Sequence, residues 1–419
     1  MGKSTTINGR PLKPATLMMG HGFDPTLSEG SLKPPIFLTS TFAFPSAAEG
    51  KRHFEGITGK RPGGADGLVY SRFNAPNQEI LEDRLAIWDG AESALSFSSG
   101  MTAICVLMLT YCSQGDVIVH SGPLYAASEG FVAKWLSKFG IRYLDFPAGA
   151  TREEIAAVLE QAKAMAAEAG GKVAMIYLES PANPTNALVD VEAVKAARDD
   201  VLDPDCPIAI DNTFLGPLWA RPLDQGADIV VYSLTKYVGG HSDLMMGSAS
   251  AKGPLYQRLR KTAQDLGQVV SPDDAALALR GLRTMPLRLE RGAASALGIA
   301  QWLAARPEIA EVLCPLLPGA AGHDLWRRDF AGGCGLFSVT LASRDTAARA
   351  RFIDALDLFG IGYSWGGFES LVVPFDPGPI RTARRWPAGR LGVRFSIGLE
   401  DSADLIADLE QALARMGAA

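Results

Sequence analysis

Asp211, Ser233, Thr235 and Lys236 are the residues of this sequence best placed to do chemistry, because each closely follows a short apolar run. Pro207 to Ile210 and Ile229 to Tyr232 are bounded by turn residues and read as buried parallel strands. Polar groups just past the carboxyl ends of such strands lie where open α/β sheets bind their ligands. An acid, two hydroxyls and a lysine at that edge suit pyridoxal phosphate. The lysine forms a Schiff base, the acid keeps the pyridine nitrogen protonated, and the hydroxyls reach the phosphate.

Further groups fall at the same edge. Ser93 to Ser98 reads as a strand, and Ser98-Ser99-Gly100-Met101-Thr102 then opens an apolar helix running to about Tyr111. A small-residue turn before a helix N-terminus presents free backbone amides and forms a phosphate cradle, although many such turns bind nothing. Gly115 to His120 is another strand. The loop after it ends in Tyr125, placed either to stack on a flat ring or to pack on a helix. Val173 to Leu178 runs into Glu179-Ser180-Pro181-Ala182-Asn183-Pro184-Thr185, where two prolines give Asn183 a rigid position. Arg394 lies on an apolar strand between Leu391 and Ile397 and must be paired there, by a carboxylate ligand or by a structural salt bridge.

The elements that position these groups alternate strand and helix, which predicts an α/β fold with a mostly parallel, doubly covered sheet. Asn77 to Asp89 is helical in period, and Thr151 with Glu154 has capping-box spacing at the head of another helix. Leu244 to Ala251 reads as one more strand. Pro272 to about Ala305 is largely helical, with Pro286 expected to break or kink it. The last third changes rhythm. Strands at Gly335 to Leu341, Glu369 to Phe375 and Leu391 to Ile397 alternate with helices at Thr346 to Leu358 and Ser402 to Met416, which predicts a smaller α+β domain. Residues 1 to 75 show no sustained helical period and read as an extended arm. Three regions follow: the arm (1–75), a cofactor-binding α/β domain (76–280) and a C-terminal α+β domain (281–419).

With 419 residues, 47% hydrophobic and 21% charged, the chain has the make-up of an ordinary globular protein with substantial cores. Its formal charge of −6 argues against nucleic acid as a partner. Arg381, Arg384, Arg385 and Arg390 form one basic cluster, read as a solvated turn. The five cysteines are irregularly spaced and lack metal-ligand spacing, which suits reduced thiols in the cytoplasm. The N-terminus lacks a signal-peptide core, and no apolar run approaches the roughly 18 residues of a membrane span.

Taken together, the motifs resemble the transsulfuration branch of fold-type I pyridoxal-phosphate enzymes, the family of cystathionine β-lyase, cystathionine γ-synthase, cystathionine γ-lyase and methionine γ-lyase. The resemblance runs from Lys33-Pro34-Pro35-Ile36 to the terminal helix. It rests on Tyr-Ser-Arg-Phe-Asn (70–74), Ser-Ser-Gly-Met (98–101), Glu-Ser-Pro-Ala-Asn-Pro-Thr (179–185), Asp-Asn-Thr (211–213) and Ser-Leu-Thr-Lys-Tyr-Val-Gly-Gly-His-Ser-Asp (233–243) in the same order. It implies that Lys236 holds the cofactor and shuttles protons, and that Asp211 pairs with the pyridinium nitrogen. Gly100, Met101, Ser233 and Thr235 would bind the phosphate, with Tyr70 and Arg72 reaching in from a neighbouring subunit. Tyr125 would stack on the ring and act in catalysis with Tyr70, while Asn183 would reach the cofactor hydroxyl or the substrate. Arg394, Ser364 and Trp365 would hold an amino-acid substrate. The family also implies a homotetramer built from dimers with shared active sites.

Within the family, Gly322 to Phe337 and Tyr363 to Ser370 resemble bacterial cystathionine β-lyase, Trp365 above all. The N-terminal half, notably Leu27 to Gly30 and Val231 to Asp243, reads at least as much like a γ-synthase or γ-lyase. Ala127 stands where methionine γ-lyases tend to have cysteine. The expectation is therefore β-elimination from cystathionine or a related cysteine thioether, with γ-elimination or γ-replacement as the alternative. A non-catalytic ligand-binding protein of the same fold would have no need for Lys236.

Overall fold

Runs of Val, Ile and Leu in the middle of the chain form strands buried on both faces, as parallel sheets demand. The computed structural model describes residues 5–56, 67–214, 216–376 and 386–416. The arm begins with a two-residue hairpin, β1 (Thr6–Ile7) and β2 (Arg10–Pro11). The large sheet comprises β3 (Ser93–Phe97), β4 (Val117–Gly122), β5 (Arg142–Pro147), β6 (Val173–Glu179), β7 (Ile208–Asp211), β8 (Ile229–Ser233) and β9 (Gly247–Ala251). Their order is β3-β9-β8-β7-β6-β4-β5, parallel throughout except that β9 runs antiparallel between β8 and β3. Alternate residues serve opposite cores. Val117, Ile176, Ile208 and Val230 face one cluster, and Ile118, Met175, Ala209 and Val231 face the other.

The smaller sheet is β10 (Ile309–Leu313), β11 (Leu336–Leu341), β12 (Gly360–Ile361), β13 (Leu371–Phe375) and β14 (Gly392–Ser396), in the order β10-β11-β14-β13-β12. β13 pairs antiparallel with β14 and parallel with β12, and helices Thr346–Asp354 and Ser402–Met416 cover its core. The fold class expected from the sequence is the one observed. The edge strand β10 and helix His323–Asp329 are additions to that expectation.

Two local expectations need correction. The arm carries a nine-residue helix, Ala47–Glu55, with the Ser46 hydroxyl accepting the amide of Glu49 at 3.2 Å. The Ser-x-x-Glu spacing was the available signal, outweighed by the polar, glycine-rich surroundings. Pro286, expected to break or kink its helix, does not break it and lies inside a continuous 33-residue helix, Pro272–Ala304. In the turn before it, Thr284 Oγ1 and the Arg288 guanidinium both donate to the Gly281 carbonyl, at 3.3 and 2.8 Å. The first half of this helix packs into the large-sheet core (Ala275, Leu282, Leu289). The second half packs into the small-sheet core (Ala296, Ile299, Leu303).

The basic cluster divides. Arg381, Arg384 and Arg385 lie outside the described residues, while Arg390 pairs with Glu311 and packs over Trp386.

A buried arginine ties the arm to the large domain. Arg84, fully enclosed on helix Pro76–Asp89, donates from Nη1 to the Met18 carbonyl at 2.6 Å and from Nε to the His21 carbonyl at 2.9 Å. Burial pushes its pKa down to about 10. Arg84→Met should strand both carbonyls and destabilise the protein by about 2 to 4 kcal/mol. Denaturant unfolding checks this, and an unchanged midpoint would show that the anchor is dispensable.

Candidate active site

The carboxyl ends of β4, β6, β7 and β8 open on one crevice of about 320 Å³, whose lining includes Gly100, Tyr125, Asn183, Asp211, Ser233, Thr235, Lys236 and Trp365. The sheet order reverses between β4 and β6, the switch point at which a crevice must form.

At one end, Ser99 caps helix Gly100–Tyr111 by accepting the Thr102 amide at 3.0 Å, and Gly100 and Met101 begin the helix at the crevice wall. Only glycine fits this turn. A Cβ on Gly100 would come within 2.7 Å of Ser233 Cβ, and one on Gly247 within 2.3 Å of the Ser99 carbonyl oxygen. Opposite, Thr235 Oγ1 accepts the Met246 amide at 3.0 Å and donates to its carbonyl at 3.2 Å. Backbone amides at a helix start, beside two hydroxyls, form an anion cradle.

Asp211 lies on the crevice floor, where burial pushes its pKa up although the Thr213 amide donates to it at 2.9 Å. Thr213 Oγ1 in turn accepts the Ser233 amide at 2.7 Å, joining the ends of β7 and β8.

Lys236 Nζ donates to Ser364 Oγ at 2.8 Å and lies 5.3 Å from the centre of the Trp365 ring. Burial, with a smaller contribution from the Arg394 charge, lowers its pKa to about 8. Arg394 comes up from β14 and donates from Nη2 to the Ser364 carbonyl at 2.8 Å and from Nη1 to Asn183 Oδ1 at 3.2 Å. Its Nε is buried without a partner, and among the described residues no carboxylate pairs with it. Ser364 thus touches both cations, through different oxygens. Gly366, at φ 82°, lets this loop approach, since a Cβ there would lie 3.2 Å from the Lys236 carbonyl carbon. Trp365 is wedged against Phe214 and Tyr237, with ring centres 5.9 and 5.6 Å away.

Eleven of the thirteen residues singled out in the sequence are thus at, or bonded to residues of, one crevice. Tyr70 and Arg72 are not. Arg72 donates to the Gln264 carbonyl at 3.2 Å and packs over Phe73, beside a separate hollow, and Tyr70 is exposed. Sequence reasoning gave no role to Thr213 or Glu179, although both stand inside motifs it recognised. It also passed over Phe214, Met245 and Tyr363 in the wall.

The Cys/Met metabolism PLP-dependent enzyme model matches residues 15–414. The chain belongs to this family. It is 34% identical to cystathionine beta-lyase of Escherichia coli over 407 residues, covering 96% of this chain and 98% of that one. It is 35% identical over 411 residues to L-methionine gamma-lyase of Pseudomonas deceptionensis, covering 96% and 97%. Among solved structures, cystathionine gamma synthase from Xanthomonas oryzae pv. oryzae superposes with a TM-score of 0.82 at 31% identity, covering 97% and 99%. The expectations of a fold-type I architecture, of pyridoxal phosphate as cofactor and of a carbon–sulfur lyase are thereby met.

The crevice fits the cofactor on its own terms. A carboxylate buried at a cost gains a cationic partner in a protonated pyridine nitrogen, a cradle of amides and hydroxyls suits a phosphate, and a lysine with lowered pKa suits an aldehyde. An amine is nucleophilic only when neutral, and lowering the pKa of a base shifts its neutral form to lower pH. Covalent capture of pyridoxal phosphate by the apoprotein, trapped with borohydride, should therefore rise with pH to a plateau with its midpoint near 8. A midpoint at the ordinary lysine value would contradict the buried, cation-flanked environment of Lys236.

Proposed function

We propose that the protein cleaves cystathionine, or a related cysteine thioether, by β-elimination to pyruvate, ammonia and a thiol. The observation that carries this reading is the seating of Tyr363–Ser370, the segment most like cystathionine β-lyase. Its Ser364 bonds both Lys236 and Arg394, and its Trp365 walls the crevice.

When bound, pyridoxal phosphate supplies an electron sink for the charge left at the substrate Cα. Lys236 would hold the cofactor and, once released, remove the Cα proton, a task suited to an amine that is partly neutral near neutral pH. Asp211 would hold the pyridine nitrogen protonated. Gly100, Met101, Ser233 and Thr235 would fix the phosphate, and Tyr125 would stack on the ring. The Arg394 fork, already oriented by Ser364 and Asn183, would take the substrate carboxylate. Breaking the Cβ–S bond sends the electron pair to sulfur as thiolate, and water then releases ammonia and the keto acid.

γ-Elimination or γ-replacement is the second reading, favoured by the similarity to a methionine gamma-lyase and to a gamma-synthase structure. Incubation with cystathionine should give pyruvate and homocysteine. Formation of 2-oxobutyrate and cysteine, or activity only on an O-acylated homoserine, would favour γ-chemistry.

The arm supports assembly into dimers with shared sites, and of these into a tetramer. Leu27, Leu32, Leu38 and Phe54 are between 61% and 86% exposed, apolar surface that this chain leaves uncovered. A second protomer covering it would bring Tyr70 and Arg72 to the neighbouring crevice. The unbonded cysteines, four buried and one half-buried, support a reducing, cytoplasmic setting. Mixing Arg72→Ala with Lys236→Ala chains should restore part of the activity, since hybrid dimers regain one intact site. No recovery despite demonstrated subunit exchange would count against sharing.

A further inference from the structure

Glu179 ends β6 at the sheet's switch point, with its side chain at the crevice and the residue only 7% exposed. Its Oε2 accepts the backbone amide of Tyr125, at the close of the β4 loop. Its Oε1 accepts the backbone amide of Asn183 at 3.0 Å, in the loop after β6. Its own amide donates to Ser121 Oγ at 3.1 Å, which fixes where the side chain starts. A single carboxylate therefore holds the backbones of two loops that are 58 residues apart in sequence. Tyr125 is itself 48% exposed, so its position depends on how its backbone is held.

The connection extends across the crevice, because Asn183 Oδ1 accepts from Arg394 Nη1. Any shift of the Asn183 backbone moves the acceptor that orients the guanidinium fork. We propose that Glu179 is a positioning residue that sets the Tyr125 ring and the Asn183–Arg394 pair in register, coupling the stacking wall to the carboxylate clamp. The proposal rests on the reading of Tyr125 and Arg394 given above and adds the residue through which the two act together. A carboxyl group offers one acceptor oxygen to each loop. Glutamine would turn an NH₂ group toward one of the two amides, so one bond becomes a repulsion between donors. Aspartate keeps both acceptors on a shorter stem.

The test compares Glu179→Gln and Glu179→Asp with the wild-type holoenzyme, using glycine as an unreactive amino-acid probe and the visible circular dichroism of the bound cofactor. Glu179→Gln should keep stoichiometric pyridoxal phosphate, weaken glycine binding by about 10- to 100-fold, the range for a charge-assisted hydrogen bond, and alter the dichroic band. Glu179→Asp should recover most of both. In a double-mutant cycle with Asn183→Ala, the losses in glycine affinity should be markedly less than additive. Wild-type affinity and dichroism in Glu179→Gln, additive losses in the cycle, or an aspartate variant no better than glutamine would each overturn the proposal. Lys236→Ala, run in parallel, separates the two levels of inference. If it retains the covalent chromophore, the reading of the crevice itself fails. If it loses the chromophore while Glu179→Gln behaves as wild type, only the role of Glu179 falls.

Discussion

Two cations held on one serine define this molecule. Lys236 follows β8 of the large sheet and Arg394 stands on β14 of the small one, yet both bond to Ser364 at one crevice, where burial disfavours their charges. The cost is visible in both groups, the lysine pushed to about 8 and the arginine to about 10. Much of the surrounding structure holds this arrangement in place. Gly366 lets the serine loop reach the lysine backbone, Trp365 wedges the loop against Phe214 and Tyr237, and Arg288 reaches from the long helix to the carbonyl of Tyr237 at 2.7 Å.

The part of this design carried by local chemistry was legible in the sequence. Apolar runs located the strands and a 3.6-residue period the helices, and Thr151 with Glu154 forms the capping box their spacing announced. The residues clustered in the crevice are those that follow strands, because the parallel sheet brings its carboxyl ends to one edge. What could not be read depends on contacts made after folding. Nothing local marks Glu179 as the partner of the distant Tyr125 amide as well as of one in its own loop, and Thr213 gains significance only when β7 and β8 pair. Pro286 does not stop its helix because that helix is packed into one core before it and another after it, contacts that nothing in the local sequence announces.

Tyr70 and Arg72 illustrate a different limit. Family resemblance puts them in a cofactor site, while within one chain Arg72 stands beside a separate hollow and Tyr70 is exposed. The arm that bears them is anchored near its start, through Arg84, with much of its later apolar surface exposed.

The helix Pro272–Ala304 runs from the large-sheet core into the small-sheet core. At 33 residues it is about 50 Å long, and it contributes side chains to both cores in turn. A rigid rod shared by two hydrophobic cores acts as a common axle. The two sheets are joined at this point by helix rather than by a flexible linker, a connection that favours small sliding or twisting along the rod over hinging. Melting either core frays the same rod, so the two lobes share one cooperative fate, and the alignment of Arg394 over Lys236 lasts as long as both.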